Sequence, residues 1–291
     1  MAVTDLAHLK VEWNRYPGSA NIVTRLIKYT YWRMLDAWLR LSGRGRYLLM
    51  VCPARSGSSV TLHVLRSNPA VRAMGESHVS YCDTSDLRML ALRTNWLLRS
   101  VGVRGVFFLD KLVFGYHTIS PEVLKNPSVR LIFLLREPLE NLSSIQRAWP
   151  DSSPATVDDY YVERLDDMVA LAEALDDPSR SFFLTYEELT GPTADECLAS
   201  LQQWLGVTEP FSTDYDLIPG HGYGKRGRGD FSDNLTAGRV LAADERTSRG
   251  GATLDSTNCG RSVEAHRRTT DQLVALTTTH SRLSGTAIQD S

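Results

Sequence analysis

Cysteine is scarce in this chain, and the four present (Cys52, Cys82, Cys197 and Cys259) never fall in a Cys-x-x-Cys spacing. That removes a paired-cysteine metal or redox motif, and reduced thiols are expected rather than disulfides. Charge of one sign is also missing. The 291 residues carry a formal net charge of −2, which gives no sign of nucleic-acid binding. No apolar run reaches the roughly 18 residues needed to cross a bilayer. The N-terminus lacks the pattern of a signal peptide, so a soluble, cytoplasmic protein is expected. Internal repeats are absent as well. What remains is a chain with 42% apolar residues, long enough for one sizeable α/β domain with appendages.

Five apolar runs are continuous rather than alternating: 47–52, 71–74, 105–109, 129–135 and 181–185. Such runs read as strands buried on both faces of a parallel sheet. Helical patterns over 60–66, 85–98, 138–148, 157–175 and 194–205 separate them. This alternation predicts a doubly wound α/β sheet, mainly parallel, of about five strands with helices on both faces. Ligands in such sheets bind beyond the carboxyl ends of the strands. Residues 1–46 hold eight basic residues against three acidic ones, and 21–42 read as a basic amphipathic helix with Tyr29, Tyr31, Trp32 and Trp38. That helix is expected to pack its aromatic side on the domain, with a membrane surface as the alternative. From 242 onward the chain turns to Ser, Thr, Gly and Arg, and a poorly ordered tail with one helix near 262–276 is expected. The expected organisation is therefore 1–46, 47–241 and 242–291.

Residues 49–61 read Leu-Met-Val-Cys-Pro-Ala-Arg-Ser-Gly-Ser-Ser-Val-Thr: a strand, a loop of small residues with one arginine, and a helix pattern starting at Val60. Amides at such a helix N-terminus point at an anion, and the helix dipole favours it. A nucleoside-triphosphate loop would follow its last glycine with lysine and place a hydroxyl on magnesium. Here Ser58 follows Gly57, and the nearest strand-end aspartate, Asp110, precedes Lys111. Two cysteine chemistries fail on spacing. A Cys-x5-Arg phosphatase loop from Cys52 would need arginine at Ser58, and a Cys-x-Pro-x-Arg sulfatase motif needs one more residue before Pro53.

The pattern left, Pro-x-Arg-Ser-Gly-Ser-Ser, resembles the 5′-phosphosulfate loop of sulfotransferases that use 3′-phosphoadenosine 5′-phosphosulfate (PAPS). Ala54 stands where that family usually has proline, and Ser58-Ser59 replace its threonines. A second match follows. Residues 131–144, Leu-Ile-Phe-Leu-Leu-Arg-Glu-Pro-Leu-Glu-Asn-Leu-Ser-Ser, resemble the family's 3′-phosphate site: an apolar strand, Arg-x-Pro, and a serine eight residues after the arginine. Arg136 would grip the phosphate with its planar fork. Ser144 lies about two turns into the next helix, which must fold back for the two to meet. Weaker likenesses fall in order: Gly75-Glu76, Phe-Phe-Leu-Thr-Tyr-Glu-Glu-Leu at 182–189, Trp-Leu-Gly-Val at 204–207, and Gly-Lys-Arg-Gly-Arg-Gly-Asp-Phe at 224–231. The resemblance covers roughly 47–231.

It implies a P-loop-type fold and sulfuryl transfer from PAPS to an acceptor hydroxyl on a small molecule, sugar or lipid-like molecule, leaving adenosine 3′,5′-bisphosphate. No metal is expected. Arg55, Ser56, Gly57, Ser58, Ser59 and Val60 would hold the 5′-phosphosulfate, Arg136 and Ser144 the 3′-phosphate. Tyr186 and a clamp of Lys225, Arg226 and Gly227 would complete the cofactor site. Lys111 would neutralise the leaving group. The histidine that cytosolic members place two residues beyond that lysine is Val113 here. Glu76 is the expected base, as in glycan and tyrosylprotein enzymes, with His78 and then His117 as alternatives. Acceptor residues are sought in 77–104 and 145–180, including Tyr81, Trp96, Trp149, Tyr160 and Tyr161. The sequons at Asn141 and Asn234 read as chance matches. A small-molecule kinase of the same superfamily and a non-catalytic nucleotide-binding or membrane-associated protein are the competing readings.

Overall fold

The computed structural model describes residues 22–42, 45–100, 103–217, 233–242, 245 and 259–280. The chain divides into two compact units, Met1–Gly43 and Arg44–Ser291. The described part of the first is one helix, α1 (Ile22–Ser42). No described helix is long and apolar enough to cross a membrane.

In the second unit the order is β1 (Arg46–Val51), α2 (Ser58–Ser67), β2 (Val71–Ala73), α3 (Thr84–Leu97), β3 (Phe107–Leu112), α4 (Pro121–Leu124) and β4 (Val129–Leu135). It continues with α5 (Pro138–Ala148), α6 (Pro154–Leu175), β5 (Ser181–Thr185), α7 (Tyr186–Thr190), α8 (Ala194–Leu205), α9 (Gly260–Leu276) and β6 (Thr278–Thr279). The six strands lie in the order β2-β3-β1-β4-β5-β6, and every pairing between them is parallel. Continuous apolar runs are what this arrangement demands, because β1 and β4 are buried along almost their whole length. Crossovers between parallel strands are right-handed as a rule, so connections that leave in opposite directions along a sheet cover opposite faces.

Two differences from the sequence reading bear on the site. β3 runs to Leu112 rather than stopping at Leu109, pairing Leu49 with Asp110 and Met50 with Lys111. Lys111 therefore lies within the strand, not after it. A sixth strand, Thr278–Thr279, joins β5. It follows α9, which coincides with the helix expected near 262–276. Leu273, Thr269 and Ala265 bury one side of α9, and Tyr161 on α6 meets His266 at 2.9 Å.

The chain leaves β1 toward one side of the sheet and leaves β4 toward the other. That makes the carboxyl edge between β1 and β4 the topological switch point, where open α/β sheets bind ligands. Arg55 follows β1 and Arg136 follows β4 at this edge.

Candidate active site

The loop after β1 is held from behind. Buried Arg164 on α6 donates to the Cys52 carbonyl at 3.2 Å and to the Leu112 carbonyl at 2.6 Å, tying the ends of β1 and β3 together. Asn141 on α5 donates to the Ala54 carbonyl at 2.9 Å. Tyr160 accepts from the Ala54 amide at 2.7 Å and donates to the Val113 carbonyl at 2.9 Å. Within this frame Arg55 takes φ 64° and Gly57 φ 88°, left-handed values that cost a non-glycine residue energy and persist where surroundings over-determine them. Glycine is needed at 57 for a second reason: a methyl there would sit 2.2 Å from the Tyr186 ring. The helices that open after β2, β3, β4 and β5 each donate a first-turn amide to a capping side chain, that of Asp83, Ser120, Glu137 and Thr185 respectively. Helix α2 has no side-chain cap and no acidic residue in its first turn. An uncapped helix N-terminus following a strand can receive an external anion on its amides.

Arg55 links this loop to the second basic site. Its Nε donates to Ser144 Oγ at 3.3 Å, and its carbonyl accepts from Arg136 Nη1 at 3.3 Å. The fold-back of α5 required for Arg136 and Ser144 to share a ligand is therefore present, with Arg55 between them. The Arg136 guanidinium lies 5.1 Å from the Tyr186 ring centroid, a distance at which a cation is attracted to the ring face. Its Nη2 meets Glu140 Oε2 at 3.1 Å.

A third cluster adjoins the loop through Ser59. Lys111 Nζ donates to Ser59 Oγ at 3.2 Å and stands 3.8 Å from Glu76 Oε2. The other oxygen of Glu76 lies 3.4 Å from His78 Nδ1. Unit charges about 4 Å apart attract by roughly 1 kcal/mol in water and about 4 kcal/mol near a protein surface, so Lys111 and Glu76 constrain one another. His78 also takes a left-handed φ of 53°. Its ring centroid lies 5.9 Å from that of His117. Burial first, and then the charge of His78, holds His117 below the ordinary histidine value. Asp110, fully buried in β3, fixes the loop that carries Glu76: it accepts from the Ser77 amide at 2.9 Å and from the Tyr81 hydroxyl at 2.7 Å. Burial pushes its carboxyl above the usual range. Both oxygens are thus committed to that loop, and no metal-binding group is found among the described residues.

Sulfotransferases are among the solved structures that resemble this one. A mouse sulfotransferase, SULT7A1, crystallised with PAP, is 14% identical, with a TM-score of 0.40 over 62% of this chain and 64% of its own. The present chain thus spans less than two thirds of that protein. A sulfotransferase from Alicyclobacillus acidocaldarius is 16% identical, with a TM-score of 0.37 over 60% of this chain and 87% of its own. No family model and no curated protein matches the sequence. Likeness this distant leaves the reading of the site to its own geometry.

That geometry brings together Arg55, Ser59, Glu76, His78, Lys111, Arg136, Ser144 and Tyr186. Lys225, Arg226 and Gly227 lie outside the described residues. Of the side chains sought for the acceptor, Tyr81 and Tyr161 are buried core. Phe114 stacks with both Trp149 and Tyr116, and Tyr160 meets Phe114 at a tilt and Trp149 edge-on. The residues that sequence reasoning missed are those that hold the loops: Arg164, Asn141 and Asp110. Asn141, read as a chance sequon, is fully buried on the Ala54 carbonyl. One signal was available. Tyr160 and Arg164 are four apart on a helix and so share a face.

Proposed function

We propose that this protein is a sulfotransferase that moves a sulfuryl group from PAPS to an acceptor hydroxyl. The observation that carries the reading is the direct contact between the two basic sites: Arg55 touches both Ser144 and Arg136. One nucleotide with phosphates at its 5′ and 3′ positions is the ligand chemistry that suits two adjoining anion sites. In this reading Arg55 and the amides of Ser56 to Ser59 hold the phosphosulfate, with the Ser58 and Ser59 hydroxyls as further donors. Arg136 and Ser144 hold the 3′-phosphate.

The reaction is an in-line displacement with a loose transition state, so positioning and charge stabilisation supply most of the catalysis. The acceptor oxygen forms a bond to sulfur while the bond from sulfur to the bridging oxygen breaks, and adenosine 3′,5′-bisphosphate leaves. Lys111, tethered to Ser59 beside the loop, neutralises the charge growing on the leaving oxygen. Glu76 takes the proton from the acceptor hydroxyl, and His78 lies within reach of the same carboxylate. The aromatic cluster of Phe114, Tyr116, Trp149 and Tyr160 borders the acceptor side.

Titration calorimetry with adenosine 3′,5′-bisphosphate in a magnesium-free buffer tests the assignment. Binding is expected, and Arg136→Ala should weaken it by roughly 10- to 150-fold, the range for a charge-assisted hydrogen bond. Binding of ATP that requires magnesium, with no binding of the bisphosphate, would favour the kinase reading.

A further inference from the structure

The Arg136 fork already holds an anion of the protein's own. Glu140 Oε2 lies 3.1 Å from Nη2, and the two partners differ sharply in exposure: 16% for the arginine side chain and 65% for the glutamate. An exposed carboxylate thus occupies Nη2 of a guanidinium that is otherwise mostly buried. Arg136 has supports other than Glu140. Its Nη1 bonds the Arg55 carbonyl, the Tyr186 ring lies against it, and its side chain is mostly buried. Two more carboxylates bind backbone amides at the start of the same helix, α5. Glu137 caps the Glu140 amide at 2.8 Å, and Glu187 accepts from the Glu137 amide at 3.1 Å.

We propose that Glu140 is an internal competitor for the 3′-phosphate, a residue that sets nucleotide affinity by occupying the Arg136 fork whenever the phosphate is away. The idea rests on the assignment of that fork in the preceding section. A doubly charged phosphate with three oxygens outcompetes one carboxylate for a planar fork, so the ligand still binds. It binds less tightly than the bare fork allows, and the returning carboxylate assists departure of the product. Product release limits turnover in many enzymes, which gives such a competitor a purpose. Repulsive elements are an ordinary route to tuned binding.

Calorimetry with two nucleotides separates this role from a structural one. Glu140→Gln keeps the shape and removes the charge, and Glu140→Ala removes both on an exposed position that should not threaten folding. Both should bind adenosine 3′,5′-bisphosphate about two- to five-fold more tightly, the range that an exposed ion pair contributes. Adenosine 5′-phosphate, which has nothing to offer the fork, should bind each variant and the parent equally. Unchanged or weaker bisphosphate binding in both variants overturns the proposal, because a partner that merely orients Arg136 gives that sign. Equal tightening of the 5′-phosphate also overturns it, since the effect would then lie elsewhere. If the parent protein fails to bind the bisphosphate at all, the cofactor assignment falls and takes this one with it.

Discussion

Glu76 and Lys111 stand 3.8 Å apart beside Ser59, and their proposed division of labour can be measured. Loss of a general base typically costs 10²- to 10⁴-fold in rate. Glu76→Gln should therefore lower turnover by about that factor while leaving affinity for adenosine 3′,5′-bisphosphate nearly unchanged. Turnover equal to the parent's would move the base to His78 or His117. The basic and hydroxyl side chains that line this sheet edge were legible in the sequence as pairs at short spacings along one strand end and the helix after it. Arg55 with Ser59, and Arg136 with Ser144, are such pairs. The residues that hold the loops were not. Arg164, Asn141 and Asp110 act on backbone groups 52, 87 and 33 positions away, or farther, and only the folded chain brings those partners within reach.

Strands and helices were readable wherever burial is continuous. β4 and β5 fall where the apolar runs place them, and α5 and α8 match residue for residue. β3 breaks the rule because a buried carboxylate interrupts its apolar run at Asp110 while the ladder carries on to Leu112. β6 escapes notice because it consists of two threonines. The packing of α9 makes a prediction at this scale. Leu273 is fully buried, so Leu273→Ala should destabilise the protein by about 2–5 kcal/mol in denaturant unfolding. Arg268, about half exposed and paired with Asp166 at 2.9 Å, should cost under about 1 kcal/mol when changed to alanine. Equal effects of the two changes would show that α9 is held by its charges rather than its buried face.

At the scale of the whole molecule, two imidazoles among the described residues should couple stability to pH. Burial holds His266 below the ordinary histidine value, and His117 is lowered for the same reason with His78 adding to it. An unfolded chain binds protons at these sites more readily than the folded one. Stability should therefore be full above about pH 6.5, the unfolded histidine value, and should decline as pH falls below it toward the lowered folded values. Thermal melting between pH 7.5 and 5 reads this directly, and His266→Gln should flatten the slope; a slope unchanged in that variant would assign the effect elsewhere. The central claim, however, is that the switch point between β1 and β4 grips both ends of one nucleotide. A crystal structure of the protein with adenosine 3′,5′-bisphosphate tests it most directly. The account predicts the 5′-phosphate on the amides that open α2 and the 3′-phosphate between Arg136 and Ser144, with Glu140 displaced from the fork. A bisphosphate bound with either phosphate away from those groups would contradict it.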